Sequence, residues 1–191
     1  MIIRNSKNGL ITNAEIYGLD RTKKTCQYPM NIGEEIKDKD TLYRLSRAKL
    51  GSGHDCATKG VIIRYDIEAP AYFWQQWQRY HFSDIVSSQS KMHRLHKMKL
   101  DEQCNKWVND ATMLNIKGLL EEYHNKPSTD NYMKLLSNTP LGFNLKADCV
   151  SNLLQEKTKY HQRRQHKLPE WQEYCNWLKN DVFEHLGFEI K

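Results

Sequence analysis

The residues best suited to chemistry in this 191-residue chain lie at 79–94, RYHFSDIVSSQSKMHR. That window holds two His, four Ser, one Gln, one Asp and three cations. Packing alone does not require so many groups able to meet phosphate oxygens and pyrimidine edges. Phosphate binding needs N–H donors and positive charge at a turn or helix start. Ser87, Ser88 and Ser90, ahead of a helix expected near Lys91, can supply hydroxyl and backbone donors. Lys91, Arg94 and Lys97 add charge. The same serines can instead cap a helix and bind nothing.

Weaker signals surround this window. His93 and His96 have a metal-compatible helical spacing, but only Asp101 is near to complete a set, and no metal site is expected. Ser90, His81 and Asp84 could be drawn as a hydrolase triad, yet nothing resembles a nucleophile elbow. The segment 159–167, KYHQRRQHK, interleaves cations with aromatic and polar groups. It suits a nucleic-acid backbone, ligand phosphates, or a plain exposed helix end.

The elements around the window follow from local pattern. Asn8-Gly9 between apolar runs signals a hairpin. Residues 20–40 read as a polar loop. Thr41 opens a short helix, TLYRLSRAKL, ended by Gly51-Ser52-Gly53. VIIRYDI (61–67) alternates as a strand with one wet face. Pro70 starts an aromatic helix through Phe82, with Phe73 and Trp77 expected in the core. A serine-rich turn follows, and 91–124 reads as helical. Further helices are expected at TDNYMKLLSN, from Leu145 to about Arg163, and from Pro169 to Gly187, where Trp171 and Trp177 read as core. The sum is one helix-rich α+β domain over 1–191 with a small antiparallel sheet.

Bulk properties agree with a soluble globular chain. The net charge is +6, concentrated at 91–99 and 157–167, and favours phosphate-bearing partners. No apolar run approaches the roughly 20 residues that span a bilayer, so no membrane partner is expected. The start, MIIRNSKNGL, lacks signal-peptide features, which places the chain in the cytoplasm. Five cysteines, odd in number and without a CxxC pair, argue for reduced, mostly buried thiols.

Taken together, GSGHDCATKGVIIRYDIEAPAYFWQQWQRYHFSDIVSSQSKMH resembles the signature half of the flavin-dependent thymidylate synthases. His54-Asp55 resembles the family's His-rich turn and residues 61–67 its strand. Residues 76–81 resemble its Q-x-x-R-H-R step, and Ser87-Ser88-Gln89-Ser90 its serine turn. The resemblance covers roughly residues 41–94 and continues weakly through VSNLLQEK and LPEWQEYCNWL. It implies a homotetramer with flavin adenine dinucleotide (FAD) at subunit interfaces. It also implies dUMP as substrate, a methylene-tetrahydrofolate donor and a reduced nicotinamide.

By the same resemblance, Ser90 and His81 are the candidate catalytic residues. Arg79, His81, His54 and Ser87 would meet the cofactor. Gln76, Ser88, Gln89, Ser90, Lys91, Arg94 and Asn176 would meet the nucleotide, with Arg163 and Arg164 reaching from a neighbouring subunit. The chain departs from the pattern at its arginines. With His81 on the motif His, Tyr80 and Phe82 replace the flanking arginines and Met92 the terminal one. With Arg79 on the first arginine, Tyr80 replaces the His and Gln89 falls on a serine. Asn176 stands where an arginine would grip the nucleotide, and Asn offers no bidentate fork.

Two expectations follow. One is a flavin-dependent, thymidylate synthase-like enzyme performing reductive one-carbon transfer to a pyrimidine nucleotide. The other keeps the fold without the reaction and binds a nucleotide, nucleic acid or protein, as a bacteriophage or mobile-element factor would.

Overall fold

The computed structural model describes residues 1–33 and 40–188. Four strands, β1 (Ile11–Tyr17), β2 (Ile62–Pro70), β3 (Ser83–Ser88) and β4 (Asn144–Asn152), form one antiparallel sheet in the order β1-β2-β4-β3. Around it the helices are α1 (Leu19–Thr25), α2 (Thr41–Ser46), α3 (Ala71–Trp77), α4 (Lys91–Arg94), α5 (Leu100–Gln103), α6 (Asp110–Asn125), α7 (Thr129–Ser137), α8 (Leu153–Arg163) and α9 (Pro169–Trp177). The fold is the helix-rich α+β arrangement with a small antiparallel sheet that the pattern implied.

The chain divides into two compact units. The first holds Met1–Ile67, Tyr80–Val86 and Asp148–Lys191; the second holds Glu68–Arg79 and Ser87–Ala147.

In the first unit the expected Asn8-Gly9 turn forms, with Gly9 at φ 80, a region that favours glycine. Ile3 and Ser6 donate backbone N–H groups to Ala14 and Ile11 across it. Glu173 of α9 pins the turn by accepting from the Ser6 hydroxyl and from the amides of Asn8 and Leu10. Along β2 the residues Ile63, Tyr65 and Ile67 are buried at alternate positions, as expected of a strand with one wet face. Trp171, Tyr174 and Trp177 fill the core beside them.

The second unit has its own apolar cluster of Leu95, Leu100, Ile116, Leu135 and Phe143. Asn109 and Ser128 cap α6 and α7 by accepting from the amides of Thr112 and Asn131. Phe73 and Trp77 are buried and stacked, with ring centroids 5.8 Å apart.

Several expectations need correction. Residues 20–40 are not all loop: α1 and a 3-10 turn at Tyr28–Met30 occupy part of them, while 34–39 lie outside the described residues. The helix opened by Thr41 stops at Ser46, and the aromatic helix stops at Trp77. The stretch 91–124 is broken into α4, a 3-10 turn, α5 and most of α6. The helix expected from Leu145 is a strand as far as Asn152, because Ala147, Cys149 and Ser151 face inward with a period of two. Asn152 then caps α8 by accepting from the Gln155 amide.

Candidate functional site

The serine-rich segment is a strand and not a turn. Ser83 is buried, its hydroxyl 3.1 Å from that of Ser151 on β4, while residues 84–88 face solvent. Ser87 and Ser88 therefore point their chemistry outward at the sheet margin, since β3 is last in the strand order. Gln89 extends the pairing: its amide donates to the Lys146 carbonyl, and its side-chain oxygen accepts from the Lys146 amide, both at 2.9 Å. The side-chain oxygen is thereby engaged in holding the strand end.

Ser90 occupies the cap position of α4, yet its side chain accepts no cap hydrogen bond. Lys91 is half-buried with Nζ 5.9 Å above the Phe143 ring, and Arg94 is exposed. Gln76 is half-buried on α3 and Arg79 is exposed in the turn after it. These residues belong to the second unit. His96 sits against the rings of Tyr123 and Tyr132, so it is occupied in packing. Among the described residues no group of three or more His, Cys, Asp or Glu could hold a metal ion.

The first unit carries the remaining candidates. His81 is exposed beside Tyr80, which is buried. The Tyr80 hydroxyl accepts from Nε of Arg163 at 2.8 Å, and the guanidinium lies 4.9 Å over the Trp171 ring. Burial pushes the Tyr80 phenol up, against the pull of Arg163. The structure thus brings Arg163 beside the residue preceding His81. Arg164, Asn176 and His54 are exposed, on or next to α8, on α9 and at the start of a 3-10 turn, His54–Gly60.

A buried polar cluster that sequence reasoning missed lies behind Arg163. Glu156 and Lys159 on α8 are fully buried, with Nζ 2.9 Å from Oε1. The Tyr65 hydroxyl donates to Glu156 at 3.0 Å and lies 2.7 Å from the Tyr174 hydroxyl, which also bonds Glu156. Both phenols are pushed well above their ordinary range, by burial first and by the Glu156 charge second. Burial pushes Lys159 down while Glu156 opposes the shift. Lys159 lies 5.7 Å over the Tyr80 ring, so the cluster backs the support of Arg163.

A second buried charge, Lys157, donates to Asp55 at 2.8 Å and to the carbonyls of Ser46 and Ala48. All three ammonium donors are used. The clamp fixes the chain after α2 and shapes a groove of about 420 Å³ lined by Arg47, Lys49, Leu50, Lys157 and His161.

No family profile and no curated protein matches the chain. Solved structures do. The fold is that of a flavin-dependent thymidylate synthase. Thymidylate Synthase X (ThyX) from Helicobacter pylori with FAD and dUMP matches at a TM-score of 0.63 and 15% identity, over 87% of this chain and 91% of that one. A second ThyX structure from Helicobacter pylori, also complexed with FAD and dUMP, matches at 0.64 and 16%, over 93% and 92%.

Proposed function

We propose that the chain binds dUMP beside FAD and performs reductive one-carbon transfer to the pyrimidine. The observation that carries this reading is a shared fold, over 87% and 93% of the chain, with two structures of one protein that hold both ligands. Arg79, His54, His81 and Ser87 are exposed cations, imidazoles and hydroxyls, a donor set that fits a dinucleotide's phosphates. Bound flavin would carry the hydride, with a reduced nicotinamide as its source and methylene-tetrahydrofolate as the carbon donor.

The chain's own part is binding and orientation. Ser90, with its hydroxyl not spent on a cap, would touch the reacting nucleotide, and His81 would lie near the flavin. Gln76, Ser88 and Gln89 would orient the base, Lys91 and Arg94 would grip the phosphate, and Arg163 would reach in from a neighbouring subunit. Arg164 and Asn176 would complete the grip in a homotetramer. Arg163 is preorganised for the task, because Tyr80 and Trp171 fix its planar fork.

One observation favours a second reading, in which the fold is kept and the reaction is lost. Tyr80, where the motif has an Arg or His, is only 8% exposed and is hydrogen-bonded to Arg163. Such a protein would bind a nucleotide, nucleic acid or protein without flavin chemistry.

Absorbance of the purified protein separates the two. Retention of added FAD through gel filtration, followed by dTMP formation from dUMP with both co-substrates, is the expected result. A colourless protein that ignores FAD, yet melts higher with dUMP, overturns the first reading. Ligand at 100 times its dissociation constant adds about 2.7 kcal/mol, enough for a clear thermal shift.

A further inference from the structure

Helix α9 lines up Trp171, Tyr174 and Trp177 on one buried face, because successive members are one turn apart. Tyr80, the residue before exposed His81, extends the row from outside the helix. Ring centroids are 6.1 Å apart from Tyr80 to Trp171 and 5.5 Å apart from Trp171 to Tyr174, both edge-on. Tyr65 on β2 lies 6.2 Å beyond Tyr174. All of these residues belong to the first unit. Electron tunnelling decays exponentially with distance. Edge contacts bring π systems close to van der Waals separation, so each ring can pass an electron to the next.

The electrostatics change along the row. Arg163 donates to the Tyr80 hydroxyl at 2.8 Å and lies 4.9 Å over the Trp171 ring. A cation in those places opposes loss of an electron from either ring. At the inner end the Tyr174 hydroxyl donates to Oε2 of Glu156, and the Tyr65 hydroxyl lies 2.7 Å from it. Lys159 faces both phenols at 3.3 Å, but Glu156 offsets it at 2.9 Å. A phenol that loses an electron becomes a strong acid, and here a positioned carboxylate can take the proton. Trp177 is placed differently, since its indole N–H donates to the Arg4 carbonyl, a weak base.

Packing alone does not call for this arrangement. Apolar residues of similar volume often replace a buried ion pair with no loss of stability. Both phenols are pushed well up, by burial first and by Glu156 second. Groups perturbed by burial together with a specific charge cluster at functional sites.

We propose that Tyr174 is a one-electron redox site, reached through Tyr80 and Trp171, with Glu156 as its proton acceptor. A one-electron oxidant at Tyr80 receives an electron relayed from Tyr174. The Tyr174 O–H bond breaks, its proton passes to Oε2 of Glu156, and a neutral phenoxyl radical remains. The oxidant is reduced by one electron, Glu156 becomes a carboxylic acid, and Lys159 keeps the surplus positive charge. Tyr65 is placed to donate its hydroxyl to the phenoxyl oxygen. A one-electron reductant at Tyr80 reverses each step, so the site is a reversible sink for oxidising equivalents. The inference goes beyond the nucleotide reading. It shares Tyr80 and Arg163 with that reading, but its readouts use neither FAD nor dUMP.

The test is flash-quench oxidation of the full chain by photogenerated tris(bipyridine)ruthenium(III), with pentaamminechlorocobalt(III) as terminal electron acceptor. Freeze-quench electron paramagnetic resonance follows the radical. The expected result is a neutral tyrosyl radical that added ascorbate removes several-fold more slowly than radicals on the exposed Tyr17 and Tyr28. After exchange into D2O it should form several-fold more slowly, because a proton moves with the electron. Tyr174→Phe should lose the slow-decaying signal and Trp171→Phe should lower its yield several-fold, whereas Tyr17→Phe/Tyr28→Phe should keep it. Melting curves check that each variant folds; where one does not, the isotope effect and slow decay in the parent decide. No slow-decaying radical in the parent, or equal formation rates in H2O and D2O, overturns the site. So does a signal undiminished in folded Tyr174→Phe or Trp171→Phe. If FAD and dUMP fail to bind while the slow radical forms, only the nucleotide reading falls.

Discussion

Lys159 and Glu156 sit one turn apart on α8, fully buried, with Nζ 2.9 Å from Oε1. Burying two charges costs free energy that their attraction alone seldom returns. Here two phenols share the load, since Tyr65 and Tyr174 both bond the carboxylate and both lie 3.3 Å from Nζ. A network satisfied this fully is sensitive to the loss of any one member.

Glu156→Gln should therefore cost about 3–5 kcal/mol, because Lys159 is left without its anion in a dry site. Glu156→Gln/Lys159→Met should cost less than the single Gln variant, since no uncompensated charge remains. Urea unfolding of the three proteins measures this. Equal losses in the single and double variants would show that the ion pair does not govern the cluster.

The thiols set an alkaline limit. Burial, the largest cause, pushes Cys149 and Cys175 up to about 12. Unfolded thiols ionise near about 8.5. Between these values the folded state holds more protons than the unfolded state, so stability falls as pH rises. The raised phenols of Tyr65 and Tyr174 act with the same sign above about 10. Lys159, pushed down by burial, acts with the opposite sign, but two thiols outweigh one ammonium, so chemical denaturation from pH 9 to 11 should show a falling unfolding free energy. With a thiol reagent at pH 8, Cys56, the exposed cysteine, should react first, and Cys149 and Cys175 last.

Glu173 offers a separate test of how the first strand is anchored. Its carboxylate accepts from the Ser6 hydroxyl at 2.6 Å and from the Asn8 amide at 2.9 Å. Hydrogen bonds to a charged group contribute about 1.5–3 kcal/mol, less where solvent reaches them. Glu173→Ala should lower stability by about 1–2 kcal/mol and raise amide hydrogen exchange at Ser6 and Leu10 above that of β2. Unchanged exchange at those two amides would show that the turn holds without α9.

Much of this architecture was legible in the residues. Ile63, Tyr65 and Ile67 alternate with polar neighbours, and the strand forms there. The aromatic spacing of α3 and α9 gave Phe73, Trp77, Trp171 and Trp177 as core, and all four are buried. β4 was hidden because its inward residues, Ala147, Cys149 and Ser151, are small and weakly apolar. β3 was hidden because an edge strand with five exposed positions carries no hydrophobic alternation. The buried cluster was hidden for another reason. Glu156 and Lys159 read as a solvated pair on a helix, and only the phenols of Tyr65, on the inward phase of β2, and Tyr174, on α9, satisfy them once buried. The partnership of Tyr80 with Arg163 spans 83 residues, a separation that local pattern does not encode.

That partnership supplies the sharpest test of the nucleotide site. Arg163 donates to the Tyr80 hydroxyl and lies over the face of Trp171, so its fork is aimed before ligand arrives. Tyr80→Phe keeps the ring and removes the hydroxyl; dUMP affinity should fall roughly three- to tenfold, up to about 1.4 kcal/mol, through lost aim. Arg163→Lys keeps the charge and removes both the fork and the stack, and should weaken binding about 10- to 100-fold. Ser90→Ala and His81→Ala should abolish turnover with stability within about 0.5 kcal/mol of the parent, because His81 is exposed and Ser90 makes no cap bond. Calorimetry with dUMP and melting curves on the same samples separate binding from folding. An Arg163→Lys variant that binds dUMP as tightly as the parent would show that Arg163 takes no part in the phosphate grip.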